Sequence, residues 1–298
     1  MSKIIAHKGG DYLFPENSYE AIIDSYHRNT CDGTELDIRM TKDHVLVVVH
    51  DVDAFRSGNQ FKLIRNHTYQ ELKELEVRPH RIDWYLQYLE NRFSNDGIHD
   101  SYNLELLRIL KEKRGTFLTL KEALEQLPQD HELIVEYKGC NEEYDARKTY
   151  QKVILETVLP YQKKQIKIKG YDREIGLFLK EKLDHQIEVG TLVNKKTIQN
   201  IDAPFDFVSI SFSLLKKQPE LLERCIQYHH QNRELYVWTL DRYQQFLECV
   251  KQSQKWNLMP HVITNNPDVM SCLMNAYLSD PDHFEENTEK KSMKQLLK

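Results

Sequence analysis

Two acidic residues at alternate positions are the first feature of the sequence that could support chemistry. Glu35 and Asp37 lie in Thr34–Ile38, a short run that is typical of a strand. Because successive side chains of a strand point to opposite faces, the two carboxylates share one face. In a protein interior they would repel each other unless a proton or a cation lay between them. A hard divalent cation with oxygen ligands meets this need, and ordinary acidic residues on a solvated strand face are the alternative interpretation.

A second pair, Glu136 and Lys138, follows the apolar run Leu133–Val135. The same alternation places both side chains on one face, near the carboxyl end of their strand, where the catalytic groups of α/β barrels lie. Glu136 could therefore supply a third oxygen ligand, and Lys138 could contact an anionic substrate. A simple Glu–Lys ion pair at a strand end is the alternative.

Two histidines stand directly after apolar runs. His7 follows Ile4–Ala6, and His50 follows Val45–Val49. An imidazole has an ordinary pKa of about 6.5, which suits it to accept and donate protons near neutral pH. The chain contains 13 histidines, so a structural role at a strand end is the competing interpretation.

Short strands alternate with amphipathic helical stretches along most of the chain, which favours a parallel sheet with helices outside it. The predicted helices include Ser18–Arg28, Leu120–Leu127, Glu143–Leu159, Arg173–Leu183 and Gln218–Gln231. The predicted strands are Ile4–Ala6, Thr34–Ile38, Val45–His50, Leu133–Lys138, Ile166–Tyr171, Ile187–Leu192, Phe207–Ser211, Leu235–Leu240 and Val262–Thr264.

These predicted strands exceed by one the number in an eight-stranded barrel. Only Thr41–His44 separates the second from the third, too short a link for a parallel crossover, so these two should form an antiparallel hairpin. A turn centred on Lys42 and Asp43 would place His50 opposite Glu35. The remaining strands predict an α/β fold of the TIM-like (β/α)8 barrel type. A doubly wound open sheet is the alternative, but no Gly-rich phosphate loop follows the first strand.

Residues 52–118 interrupt this alternation and contain Trp84, Tyr85, Tyr88 and Phe93. Long inserts in compact domains are usually lids or binding loops, so we expect a lid after the hairpin. Helix is predicted within the insert at Tyr69–Leu75 and Leu104–Lys113. The sequence predicts one catalytic barrel domain over residues 1–283 and a polar, solvated tail over residues 284–298.

Composition narrows the function classes. Lys plus Arg is 41 and Asp plus Glu is 46, which gives a net charge of −5 and no basic footprint for nucleic acid. We expect the five cysteines to be reduced, because no pair has the spacing of a zinc or redox motif. No apolar run has the length of a signal peptide or of a membrane span, so a cytoplasmic protein with a small-molecule substrate is expected. The sequence does not predict an oligomeric state.

The ordered set of motifs resembles the glycerophosphodiester phosphodiesterase family between residue 4 and about residue 268. Each motif is weak alone, but their order and gaps follow the family pattern. The motifs are His7-Lys8-Gly9, Pro15-Glu16-Asn17-Ser18, Glu35-Leu36-Asp37, His50-Asp51, Glu136-Tyr137-Lys138, Val237-Trp238-Thr239 and Ile263-Thr264-Asn265-Asn266-Pro267.

The resemblance implies a role for each matched position. It implies Glu35, Asp37 and Glu136 as ligands of Mg²⁺ or Ca²⁺, and His7 and His50 as the acid–base pair. It further implies that Lys8 and Lys138 hold the substrate phosphate, and that Trp238 lines the glycerol end of the pocket. A barrel-core aromatic remains an equal interpretation of Trp238. The attacking group in the family is either the glycerol 2-hydroxyl or water, and the sequence does not decide between them.

The sequence departs from the family pattern in four places. Lys8 replaces an Arg, His44 a Gly and Asn265 an Asp, and the segment of residues 76–114 is longer than usual. The first hypothesis for function is hydrolysis of glycerophosphodiesters to glycerol 3-phosphate and an alcohol. Lysophospholipase D-type cleavage and a catalytically silent barrel that binds a phosphorylated ligand are the alternatives. The presence of all five acid–base and ligand positions argues against a silent barrel.

Overall fold

Eight parallel strands close into a barrel in the computed structural model, which describes residues 2–10, 14–28, 30–78, 112–139, 144–218, 220–229, 233–256, 258–281 and 284. Strand β1 (Ile4–His7) pairs in parallel with both β2 (Gly33–Met40) and β11 (His261–Thr264), and this double pairing closes the barrel. The predicted TIM-like barrel is therefore confirmed. The strands are β1 (Ile4–His7), β2 (Gly33–Met40), β3 (Leu46–Val48), β4 (Glu76–Val77), β5 (Gly115–Thr116), β6 (Glu132–Tyr137), β7 (Ile166–Gly170), β8 (Glu188–Val193), β9 (Phe207–Ser211), β10 (Glu234–Trp238) and β11 (His261–Thr264).

The helices surround the barrel and pack against it through their apolar residues. Helix α6 (Arg173–Leu183) shows the pattern, because its buried Ile175, Leu179 and Leu183 recur every four residues and so share one face. The Asp172 side chain caps the first turn of α6 by accepting backbone hydrogen bonds. The helices are α1 (Tyr19–His27), α2 (Phe55–Gly58), α3 (Tyr69–Lys73), α4 (Leu120–Gln126), α5 (Tyr144–Val158), α6 (Arg173–Leu183), α7 (Phe212–Lys217), α8 (Glu220–His229), α9 (Tyr243–Trp256) and α10 (Pro267–Ser279).

The hairpin between β2 and β3 is confirmed, but its predicted register is wrong by one residue. Ile38 pairs with Val48 and Met40 pairs with Leu46, so His50 does not come opposite Glu35. The turn contains one more residue than expected, because Thr41 and Val45 close it through a backbone hydrogen bond of 2.9 Å. His44, inside this turn, has a left-handed φ of 61°, the conformation that a Gly adopts most easily.

The middle of the barrel is filled by apolar side chains. Ile5, Ile134, Phe207, Tyr236 and Ile263 form one cluster in which no residue exceeds 1% exposure. This cluster fills the barrel between its two ends. A functional site is therefore expected at an end, and catalytic groups of such barrels lie at the carboxyl ends of the strands. The apolar layer is a packed core of the kind expected in this barrel.

Charged side chains close the amino-terminal end of the barrel. Lys167 lies 2.6 Å from Glu188 and also pairs with Glu234. The Tyr236 hydroxyl lies 2.8 Å from Glu132 Oε1 and 2.8 Å from Glu234 Oε2, and its single proton is donated to one of these carboxylates at a time. These ion pairs and hydrogen bonds satisfy charges that would otherwise be costly to bury.

The described part of the insert is packed rather than loose. Residues 52–78 contain α2, a 3₁₀ turn (Ile64–Asn66) and α3, and they form a cluster with Phe117. Strands β4 and β5 pair in antiparallel fashion, with Val77 opposite Gly115, so the two ends of the remaining insert lie side by side. Residues 79–111 lie outside the described residues, and with them all four aromatic residues singled out in the predicted lid and most of the predicted Leu104–Lys113 helix.

The predicted polar tail begins one residue too early. Phe284 is 2% exposed, and its ring packs edge-on against Phe246 and Tyr277. Its apolar surface is removed from water there, so Phe284 belongs to the packed domain. Residues 285–298 lie outside the described residues.

The cysteines agree with the expectation of reduced thiols where the structure describes them. Cys31, Cys225, Cys249 and Cys272 form no disulfide, and Cys140 lies outside the described residues. Within the described ranges, no helix combines the length and the apolar character needed to cross a membrane.

Candidate active site

A cavity of about 390 Å³ opens at the carboxyl ends of the barrel strands. It contains seven of the eight predicted site residues, and the remaining one, Asp37, is fully buried and contacts Lys138. The predicted residues that line it are His7, Lys8, Glu35, His50, Glu136, Lys138 and Trp238. Arg56, Lys169 and Tyr171 also line the cavity, and the sequence analysis had not singled them out.

His7, the last residue of β1, is oriented by a polar chain that starts at Asn265, just after the neighbouring strand β11. Its Nδ1 lies 2.6 Å from Asn265 Oδ1. The Asn265 side-chain amide donates to Asp241 Oδ2 at 2.8 Å. Because a carboxylate only accepts, this bond fixes the amide orientation, so His7 Nδ1 carries the proton and Nε2 keeps its lone pair. Burial and the charge of Lys8 lower the pKa of His7 to about 4.

His50 lies two residues beyond β3, at the rim of the cavity. Its Nδ1 lies 2.7 Å from Asp51 Oδ1, and Asp51 is also bound by Arg56. Burial alone would raise the pKa of Asp51, but the hydrogen bonds from His50 and Arg56 lower it below its usual value. Asp51 therefore stays ionised and can only accept, so His50 Nδ1 carries the proton of their hydrogen bond.

The three predicted metal ligands converge. Glu35, Asp37 and Glu136 each offer an oxygen within 4.8 Å of the others, and all three side chains are buried. Parallel pairing of β2 with β6 sets Asp37 beside Glu136, which explains how residues 99 positions apart reach one point. The Asn17 side chain donates to Asp37 Oδ2 at 2.7 Å and accepts from the Asp37 backbone N–H. Asn17 thus fixes the orientation of Asp37.

Two lysines partly balance the carboxylates. Lys138 Nζ lies 2.7 Å from Asp37 Oδ1 and also pairs with Glu136. Lys169 Nζ lies 3.1 Å from Glu35 Oε1. Burial alone would raise the pKa of Asp37, but the charges of Lys138 and Lys8 hold it well below its usual range. Burial, with the charges of Asp37 and Glu35, raises the pKa of Glu136 despite Lys138.

These residues fit a divalent cation. Asp37 and Glu136 share Lys138, Glu35 faces Lys169, and Lys8 lies near Asp37 but is also held by Glu16, so the lysines only partly neutralise the three carboxylates. Two buried oxygens of the described cluster, Glu35 Oε1 and Asp37 Oδ1, accept no well-aligned hydrogen bond and face the ammonium groups of Lys169 and Lys138, and such atoms are costly to bury unless a cation lies beside them. Oxygen ligands of this kind suit Mg²⁺ or Ca²⁺.

Lys8 lines the cavity but is directed toward other protein groups. Its Nζ lies 3.1 Å from Glu16 Oε1 and 3.9 Å from Asp37 Oδ2. The backbone turn after β1 has positive φ at Lys8 and Gly9. A Cβ on Gly9 would lie 2.7 Å from the backbone carbon of Ala21, so only glycine lets α1 approach this turn.

Trp238, the last residue of β10, faces the same cavity. Its buried indole Nε1 has no hydrogen-bond partner among the described residues. An indole nitrogen is a donor only, so this N–H is available to an oxygen of a bound substrate. This observation favours the pocket interpretation of Trp238 over that of a core aromatic.

The geometry defines a barrel enzyme with two histidines and a carboxylate cluster at one mouth. The sequence comparison gives the family: the profile of the glycerophosphoryl diester phosphodiesterase family matches residues 7–269. The chain belongs to this family and is a phosphoric diester hydrolase.

Individual relatives agree with this assignment. A glycerophosphodiester phosphodiesterase of Caldanaerobacter subterraneus subsp. tengcongensis is 24% identical over 268 residues, which cover 90% of this chain and 95% of that protein. A protein of the same name from Bacillus altitudinis is 42% identical, but only over 73 residues, which are 24% of this chain and 29% of that protein.

Solved structures share the fold. A glycerophosphodiester phosphodiesterase from Parabacteroides distasonis superposes with a TM-score of 0.67 at 18% identity, covering 93% of this chain and 98% of the other. An Oleispira antarctica phosphodiesterase, solved with the product sn-glycerol-3-phosphate, has a TM-score of 0.64 at 17% identity and covers 90% of this chain and 94% of its own. At these identities the likeness shows the barrel fold alone.

Proposed function

We propose that the protein hydrolyses glycerophosphodiesters to glycerol 3-phosphate and an alcohol, with a divalent cation held by Glu35, Asp37 and Glu136. The observation that carries this proposal is the convergence of three buried carboxylates with two histidines in one cavity. The product bound to the Oleispira antarctica phosphodiesterase supports glycerol 3-phosphate as the product here. The identity of the cation, Mg²⁺ or Ca²⁺, is part of what the experiment below tests.

A phosphodiester is an anion with a poor leaving group. A divalent cation bound to the carboxylates would supply positive charge next to the phosphoryl oxygens. Lys138 and Lys8 contribute further positive charge at the cavity wall, where it stabilises negative charge that develops on the phosphoryl group. The Trp238 indole N–H donates to an oxygen at the glycerol end of the substrate.

The hydrogen bonds support different proposed roles for the two histidines. His7 keeps a free Nε2 lone pair and a low pKa, so it acts as the base that takes a proton from the attacking hydroxyl or water. His50 is bound to an ionised Asp51, so it acts as the acid that protonates the leaving oxygen. This assignment goes beyond the sequence, which made no distinction between them.

A panel of substrates tests the proposal. Glycerophosphocholine, glycerophosphoethanolamine and lysophosphatidylcholine would be incubated with the full chain in Mg²⁺, in Ca²⁺ and in EDTA, and glycerol 3-phosphate release would be followed with a coupled dehydrogenase. We expect release from the two glycerophosphodiesters in a divalent cation. Release no faster than that of a His7→Ala variant would reject the proposal. Lysophospholipase D-type cleavage of lysophosphatidylcholine gives lysophosphatidic acid and choline, so it would be followed as choline release. Cleavage of lysophosphatidylcholine alone would favour this alternative, which rests on aromatic residues outside the described part.

A further inference from the structure

One lysine of the carboxylate cluster, Lys169, comes from outside the sequence motifs. Lys169 is the penultimate residue of β7, and the strand register sets it beside Glu136 of β6. It is 1% exposed. Its Nζ lies 3.1 Å from Glu35 Oε1 and 3.8 Å from Glu136 Oε2. A buried ammonium needs such counter-charges, so the carboxylates hold Lys169 in place.

The ammonium of Lys169 lies beside an oxygen that could bind the metal, Glu35 Oε1. Glu35 Oε2 already accepts the Lys8 backbone N–H at 3.2 Å. Glu35 Oε1 has no hydrogen-bond partner and is therefore the oxygen left for a cation. The closest cation to that oxygen is the ammonium of Lys169. Two positive charges within about 4 Å repel strongly where water is excluded.

We propose that Lys169 is a built-in counter-cation that competes with the divalent metal for Glu35 and weakens metal binding. Without a metal, Lys169 neutralises Glu35 and lowers the cost of three buried carboxylates. When a metal binds, the ammonium must move away from Glu35 Oε1 or remain there at a repulsive distance. Lys169 also leaves the loaded cluster with a net positive charge, which favours an anionic phosphodiester. This inference rests on the proposed metal site, and it needs no assumption about the reaction.

Metal binding without substrate tests the proposal. The full-length wild type and a Lys169→Met variant would be titrated with Mn²⁺, and free Mn²⁺ would be measured by electron paramagnetic resonance. Competition with Mg²⁺ and Ca²⁺ would then extend the comparison. Removing one charge near the ion should tighten the Kd of each metal by about 10- to 100-fold. A Lys169→Arg variant keeps the charge and should bind metal as weakly as wild type.

The chain offers a matched control. Lys167 lies two residues earlier on the same face of β7, is 8% exposed at its side chain, and pairs with Glu132, Glu188 and Glu234 at the opposite end of the barrel. Lys167→Met removes a second buried lysine of the same strand, away from the metal ligands. It should leave the Kd of Mn²⁺ unchanged within about twofold, although it destabilises the fold.

Thermal unfolding gives a second readout. A ligand that binds more tightly raises Tm more at the same concentration. Lys169→Met should therefore melt below wild type without metal and gain more Tm on addition of Mn²⁺. An unchanged or weaker Kd in a folded Lys169→Met protein would overturn the proposal, and so would a failure of both proteins to bind metal. Neither result depends on whether glycerophosphodiesters are the substrate.

Discussion

His7 Nδ1 lies 2.6 Å from Asn265 Oδ1, at the point where the family pattern has an Asp in place of Asn265. The Asn265 backbone and side-chain N–H groups both donate to Asp241, at 2.8 Å each. A neutral amide therefore separates Asp241 from His7. It transmits orientation to the ring without placing a carboxylate beside it.

This relationship predicts the effect of Asn265→Asp on the pH profile. Below its pKa, the ring of His7 is protonated and cannot accept a proton, so kcat/KM falls on the acidic side. In wild type that pKa is about 4. A carboxylate at position 265 stabilises the protonated ring, so the acidic limb should move to higher pH. Asn266→Asp adds a carboxylate one residue further, at the cap of α10, and should leave the limb in place.

Removal of metal should abolish turnover. The three buried carboxylates fit a divalent cation, and Glu35 Oε1 and Asp37 Oδ1 make no well-aligned hydrogen bond, so we expect turnover to need a bound cation. Dialysis against EDTA should remove activity, and Mg²⁺ or Ca²⁺ should restore it. Glu136→Gln should raise the metal concentration needed for half-maximal activity by at least about tenfold. Full activity after dialysis into excess EDTA would contradict the metal site.

Replacement of either histidine should impair the chemical step. His7→Ala and His50→Ala should each lower kcat by about 10²- to 10⁴-fold, the usual contribution of a general acid or base. Tm should change little for His50→Ala, whose side chain lies at the rim of the cavity, and should fall more for His7→Ala, which loses the hydrogen bond to Asn265. His27→Ala serves as the control, because His27 is exposed at the end of α1. A near wild-type kcat in one variant would assign that histidine a structural role.

We expect Lys8 to combine phosphate binding with an ion pair to Glu16, and variants can separate the two. Its ammonium faces both the cavity and Glu16, so Lys8→Gln should lower kcat/KM by about 10- to 100-fold and also lower Tm. Lys8→Arg keeps the charge and should retain kcat/KM. In Lys8→Gln/Glu16→Gln, the buried carboxylate is neutral, so Tm should recover while kcat/KM stays low. Recovery of both would mean that Lys8 acts only as the partner of Glu16.

The insert between β4 and β5 should govern head-group choice. The paired ends, Glu76 with Thr116 and Val77 with Gly115, allow residues 79–111 to be replaced by a short Gly/Ser turn without pulling the barrel apart. We expect the ratio of kcat/KM values among glycerophosphodiesters to change while Tm is largely kept. An equal loss for every substrate would indicate a structural role instead.

The sequence predicted most of the site because its chemistry lies in short motifs at strand ends. Glu35 and Asp37 share a face by the geometry of any strand, and the barrel then brings Glu136 to them. The predicted register of the β2–β3 hairpin is wrong because the turn depends on Thr41, whose hydroxyl accepts the Val45 N–H and lengthens the turn. Residue spacing alone does not show that this hydrogen bond is favoured over a turn that is one residue shorter.

Lys169 and Arg56 were missed because neither stands in a motif that the sequence analysis used. A signal for Lys169 was present. In Ile166–Gly170 the lysines alternate with isoleucines, and a barrel strand buried on both faces has no solvated side for them. An inward lysine at the carboxyl end of such a strand should face the carboxylates. Arg56 lies on a four-residue helix in the insert, and so short a helix has no periodic pattern of apolar residues that would predict where its side chain points.

The apolar layer of Ile5, Ile134, Phe207 and Ile263 lies directly below the carboxylates and is closed to solvent. It closes the cavity from below within the described residues. In the proposed reaction, substrate and products would then pass through the opening at the carboxyl ends of the strands. The alcohol and glycerol 3-phosphate would leave through the mouth by which the next substrate arrives, so a retained product would block that arrival.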